Sequence, residues 1–136
     1  MTSSRTDTFE DLVAEGAAVP TAGWDFSWFE GRATEARPSW GYARSLAGRL
    51  AAAGASLDLQ TGGGEVLAFA LDQGEGTEAP RLAAATEGWP PNAAKATALL
   101  RPRGIVVVAT PQDAPLPFAD ATFDLVSSRH PVNPQW

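Results

Sequence analysis

The sequence predicts an α/β fold in which a mostly parallel sheet is flanked by helices. Three observations lead there. Short apolar runs alternate with helical segments, and helices between strands favour parallel pairing. The clearest run, residues 105–109, is continuously apolar and rich in valine, as a strand covered on both faces should be. Three consecutive glycines, Gly62, Gly63 and Gly64, separate an apolar run from the helix that follows it.

The elements follow in order. Residues 1–8 are polar, with no fixed structure expected, and residues 9–18 form a short helix. Trp24, Phe26, Trp28 and Phe29 make an aromatic cluster that either plugs the edge of the core or acts as a lid over a pocket. Residues 38–53 read as a helix, with Pro38 in its first turn, Gly54 ending it, and Tyr42, Leu46 and Leu50 sharing one face. Residues 55–59 suit a buried strand, 60–64 a loop, 65–71 a helix and 73–80 an acidic, glycine-rich surface loop. An alanine-rich strand is expected at 82–86. Pro90 and Pro91 are expected before a helix capped by Asn92 and running to Leu100. A turn at 101–104, the strand at 105–109, a proline-rich loop at 111–121 and a fourth strand at 123–127 complete the pattern.

Composition bounds the function. The chain has 136 residues, 44% of them apolar, which fits one domain with a real core. With 13 glycines and 11 prolines it holds more turn-forming residues than a helical bundle needs. The net charge of −6, with no run of Lys or Arg, disfavours direct nucleic-acid binding. The absence of cysteine removes disulfides and thiolate metal sites, and no metal site is expected. No segment has the length of a membrane span or the pattern of a signal peptide, so no membrane association and a cytoplasmic location are the simplest expectations.

Candidate site residues cluster after the strands. Glycines at 62–64 let the backbone turn sharply and approach a ligand, although such a triplet also makes a plain flexible turn. Glu87 follows the second strand, 29 positions beyond Asp58. A carboxylate there suits a ribose diol, although the spacing in dinucleotide folds is about 20 residues; the alternative is a solvated surface glutamate. Asp113, with Ala114 beside it, follows the third strand and suits an adenine amino group, or else caps a turn. All of these positions fall at C-terminal strand ends, where open α/β sheets bind ligands.

These pieces resemble the class I S-adenosylmethionine-dependent methyltransferases. The segments that carry the resemblance are Leu57-Asp58-Leu59-Gln60-Thr61-Gly62-Gly63-Gly64, Thr86-Glu87, Asp113-Ala114-Pro115-Leu116-Pro117-Phe118 and Asp120-Ala121-Thr122-Phe123-Asp124-Leu125-Val126. The resemblance implies a Rossmann-like fold over residues 38–136, with residues 1–37 as a possible cap, and S-adenosyl-L-methionine as cofactor. It implies that Asp58, Thr61, Gly62 and Gly64 approach the methionine portion and Glu87 the ribose. Trp89 would then pack beside the adenine, Asp113 and Ala114 would meet its edge, and residues 128–130 would lie near the methyl group. His130, the sole histidine, is the candidate base, or else a residue that positions its loop.

Two departures from the family stand out. Its loop carries glycine where this chain has Gln60, so a positive φ there would add strain of roughly 1–2 kcal/mol. The sequence also stops shortly after the fourth strand, where the family continues, so only the first four strands of the fold are expected. A shortened chain, an absent or disordered remainder, and a natural remnant that pairs with another subunit all fit. Four strands alone would leave a sheet edge open to self-association. The expected activity is methyl transfer to an unidentified acceptor, with a small molecule favoured. The alternatives are a nicotinamide-dependent dehydrogenase and a non-catalytic interaction module.

Overall fold

Burial and backbone pairing turn the apolar runs into a four-stranded sheet. The computed structural model describes residues 8–20, 25–36, 38–73 and 79–131. The N-terminal and C-terminal stretches, Trp24 and the centre of the expected acidic loop lie outside the described residues. The chain divides into two units, Met1–Thr34 and Glu35–Trp136.

The first unit holds helix α1, Phe9–Ala17, and a 3-10 turn at Ser27–Phe29. Thr8 starts α1 through a capping box: its hydroxyl accepts from the Asp11 N–H at 3.2 Å, and its own N–H donates to the Asp11 carboxylate at 3.0 Å. The aromatic residues contact one another, with Trp28 and Phe29 edge to face at 4.9 Å between centroids. Arg32 lies over the Trp28 ring at 4.6 Å and pairs with Glu15.

The second unit contains α2 (Tyr42–Ala52), β1 (Ala55–Asp58), α3 (Glu65–Asp72), β2 (Leu82–Glu87), α4 (Pro90–Leu100), a 3-10 turn at Arg101–Arg103, β3 (Val106–Ala109) and β4 (Leu125–Ser127). The sheet order is β3-β2-β1-β4, and every pairing is parallel. This is the α/β, mostly parallel arrangement that the sequence predicts, a partial Rossmann-like sheet.

Alternation along the strands sorts the two faces. Ala83, Ala85, Ile105, Val107 and Leu125 join Leu46, Leu50, Leu67, Leu71, Ala96 and Leu100 in the main core, under the three helices. The alanines of β2 have little β propensity of their own, but their small side chains let helices approach the sheet. On the opposite face Leu57, Leu59 and Ala84 pack beneath Leu116, Phe118 and Phe123, supplied by the loop between β3 and β4. That stretch carries no helix, as its prolines predict.

Several boundaries differ from expectation. Helix α2 begins at Tyr42 rather than at Pro38, because Gly41 precedes it with φ 62°, a conformation that does not continue a helix backwards. Helix α4 begins at Pro90, with Trp89 and not Asn92 as its N-cap. Both prolines fit its first turn, where the missing N–H groups have no intrahelical acceptor. Strand β4 starts at Leu125, two residues later than expected, because Asp124 is spent on a cap across to β1.

Candidate functional site

The site is built where β1 and β2 end and the chain must leave a parallel sheet. Beyond Asp58, the Leu59 N–H donates to the Ser127 carbonyl at 2.8 Å. The Gln60 and Thr61 N–H groups turn the other way, donating to Thr86 Oγ1 at 3.2 Å and to the Thr86 carbonyl at 2.9 Å. The loop is therefore tied to both neighbouring strands. Left-handed conformations carry the reversal: Gln60 has φ 55°, Gly62 φ 65° and Gly64 φ 83°. Gly64 also needs its missing side chain, since a Cβ would stand 2.9 Å from Leu100 of α4.

Glu87 locks this turn from β2. One carboxylate oxygen accepts the Gly62 N–H at 2.8 Å and the other accepts the Trp89 N–H at 2.9 Å. Its carbonyl accepts the Thr110 N–H at 3.1 Å, joining the end of β2 to the segment after β3. Gly88 permits that closeness, because a Cβ there would meet the Thr110 carbonyl oxygen at 2.9 Å.

The electrostatics are acidic. Register places Asp58 opposite Ser127, whose Oγ donates to the Asp58 carboxylate at 2.6 Å. Burial pushes the Asp58 pKa up, and the Ser127 and Thr61 hydroxyls oppose that shift. Thr61 Oγ1 is buried and makes no hydrogen bond of normal geometry. The Tyr42 hydroxyl is likewise buried and unpartnered. Burial, then the Asp58 charge, raises the Tyr42 pKa, while Ser127 and Arg129 act in the opposite direction. Glu65 opens α3 directly after the glycines, pairs with Lys95 at 2.5 Å and reaches back over Gly63.

The structure thus brings Asp58, Thr61, Gly62, Gly64 and Glu87 together around one loop. Trp89 adjoins it as the N-cap of α4, with its side chain partly exposed. Asp113 is exposed and Ala114 half-buried in the loop after β3, where the Ala114 N–H closes a turn onto the Pro111 carbonyl at 3.2 Å. His130 is exposed, three residues beyond the last residue of β4. Sequence reasoning placed Tyr42 on the core face of its helix, and its ring does pack there. The fate of its hydroxyl, and the roles of Ser127, Arg129 and Glu65, were not legible, because each depends on strand pairing or helix placement. Among the described residues no group of three or more His, Asp or Glu side chains is arranged to hold a metal. The shallow depression lined by Ala94, Thr97, Ala98, Arg101 and Pro102 lies along α4, apart from these residues.

No family model matches the chain, and no curated protein sequence matches it. Among solved structures, the crystal structure of "a putative O-methyltransferase from Klebsiella pneumoniae" is similar, at 18% identity and a TM-score of 0.43 over 86% of this chain. The match spans 57% of that protein's chain. Likeness at this level assigns neither family nor activity.

Proposed function

We propose that the second unit binds S-adenosyl-L-methionine and serves methyl transfer to an acceptor not yet identified. The observation that carries this reading is the charge around the glycine loop. Asp58, Glu65 and Glu87 surround a tight turn at the C-terminal ends of parallel strands, the usual ligand position in open α/β sheets. A dinucleotide places its pyrophosphate at the N-terminus of the helix after the glycines. Here Glu65 occupies that first turn, paired with Lys95, so a phosphate would meet a carboxylate–ammonium pair where dinucleotide folds leave the helix N-terminus open to it. A cationic, phosphate-free nucleoside suits the same surroundings.

The residues present fit such a cofactor. Tyr42 and Thr61 leave buried hydroxyls without partners, as a site built for a polar ligand would. Glu87 uses one lone pair of each carboxylate oxygen on backbone N–H groups and retains the others for a ribose diol. Gly62 and Gly64 let the backbone approach, Trp89 offers an aromatic surface for the adenine, and Asp113 with Ala114 offers an edge for its amino group. When bound, the cofactor supplies an electrophilic methyl group on a sulfonium. The chain's own contribution is orientation and exclusion of water. His130 is proposed as the base that takes a proton from the acceptor.

Calorimetric titration of the chain with S-adenosylmethionine, S-adenosylhomocysteine and NAD tests the reading. One-to-one binding of the first two without NAD is expected. A folded chain that binds neither adenosyl compound overturns it.

A further inference from the structure

The glycine loop is covered where a ligand would have to reach it. Gly62, Gly63 and Gly64 are all buried. Gly62 and Gly64 are required by their left-handed φ values, and Gly64 also by the approach of Leu100 and Ala96 of α4. Gly63 lies outside the left-handed region, so its backbone does not demand glycine. The three atoms nearest to the place of its missing Cβ all belong to the Glu65 carboxyl group, with both oxygens at 2.6 Å and the carbon at 2.8 Å. The carboxylate therefore lies over Gly63, in the space that a side chain would fill. Lys95 holds it there. The packing of Gly64 on Ala96 sets α4 against the loop, and the preceding residue, Lys95, places its Nζ 2.5 Å from Glu65 Oε1. Both side chains are about half exposed, so the pair adds little to stability and opens readily. The start of α3 does not require this arrangement, since an acidic side chain in the first turn interacts with the helix dipole while it points into water.

We infer that Glu65 and Lys95 form an ionic latch over the glycine loop. Closed, the latch keeps a carboxylate on Gly63 and shields the loop. Open, it exposes that stretch of backbone to a ligand. The inference rests on the proposed binding reading for what the loop receives, and it adds how access to the loop is controlled. Salt screens the pair, because both partners face water. The latch therefore makes a neutral nucleoside bind more tightly as ionic strength rises, the reverse of a site that attracts its ligand by charge.

The neutral probe 5′-methylthioadenosine tests the latch by calorimetry on the unaltered chain, Glu65→Gln and Lys95→Gln. Titrations are made at about 0.01 M and about 1 M salt, where the Debye length is about 30 Å and about 3 Å. The two substitutions change the charge in opposite directions but open the same latch. Both should tighten binding about two- to fivefold at low salt, the range of an exposed pair, and the gain should disappear at high salt. Opposite shifts in the two variants, a gain in only one, a loss in both or no change overturns the latch and leaves the binding reading intact. Amide hydrogen exchange of the ligand-free chains is the second readout. Gly63 should exchange faster in both variants. A purely electrostatic effect on this hydroxide-catalysed exchange would instead speed it in Glu65→Gln and slow it in Lys95→Gln. If the folded unaltered chain binds neither the probe nor S-adenosylmethionine, the binding reading fails and the exchange rates decide the latch: unchanged rates, or rates that shift in opposite directions, overturn it.

Discussion

At the scale of single residues, backbone conformation is the sharpest constraint on the loop. Gln60 holds φ 55°, a region that costs an L-residue about 1–2 kcal/mol. Gln60→Gly removes that strain but adds unfolded-state freedom, about 0.5–1 kcal/mol in the other direction. The net expectation is a gain of about 0.5–1 kcal/mol, read from urea denaturation midpoints. A lower midpoint would mean that the glutamine's own contacts outweigh its strain. Gly64 is the opposite case. Its φ of 83° and the 2.9 Å approach of Leu100 leave no room for a methyl group, so Gly64→Ala should cost about 2–4 kcal/mol in the same measurement. Asp58 adds a dependence on pH. Burial holds its folded pKa above the ordinary carboxylate value of 3.8, so its favourable contribution is complete below that value and is lost as pH rises through the folded value. Asp58→Asn retains an acceptor for Ser127 and removes the buried charge. Its melting temperature, relative to the unaltered chain, should therefore climb between acid and neutral pH, and a constant difference would show that the charge is not buried.

At the scale of elements, the joints between strands are where sequence and structure part. The run at β3 was legible because a continuous apolar stretch bounded by glycine and proline has few other uses, and those at β1 and β2 because short, largely apolar runs lie between helical segments. The start of α4 was misplaced because Asn92 looks like a cap, while the prolines before it fit the first turn equally well and make Asn92 a buried helical residue. Of the candidate site, the carboxylates at strand ends were legible from their positions. The Glu87 bonds to Gly62 and Trp89, and the pairing of Asp58 with Ser127, were not, because they require register. Asp124 shows the same limit. Its sequence motif suggested family membership, and its place in the fold is mechanical: it accepts the Gly54 and Ala55 N–H groups, both at 3.0 Å, and so joins the start of β4 to the start of β1. Those two donors, Ala55 foremost, lower its pKa from 3.8. The stabilisation is therefore present above 3.8 and lost as pH falls through the folded value. Asp124→Asn should melt lower at neutral pH and flatten the acid limb of the melting-temperature profile. An unchanged acid limb would assign the joint to the backbone ladder alone.

At the scale of the second unit, the sheet is covered unequally. Three helices lie over one face, whereas the other rests on Leu116, Phe118 and Phe123 from a single loop. Pairing places Val106, Ala84, Leu57 and Val126 in one row across that second face, and its outer members stay open: Val106 is 62% and Val126 52% exposed. Leu82, on the same face of β2, is 44% exposed. Parallel strands in stable folds are apolar because both faces are covered, so these side chains have the composition of a core and the environment of a surface. The exposed valines add little to stability where they stand, and replacing them there should shift it by no more than about 0.5 kcal/mol. They should, however, present an apolar patch to small hydrophobic probes. The unaltered chain is therefore expected to enhance the fluorescence of anilinonaphthalene sulfonate, and the double variant Val106→Thr, Val126→Thr to reduce it with nearly the same melting temperature. A large loss of stability in the double variant would mean that the valines are packed in solution and that the face is covered. Undiminished dye binding at unchanged stability would place the accessible apolar surface elsewhere, with the exposed Phe9, Leu12 and Val13 of α1 the next to be replaced.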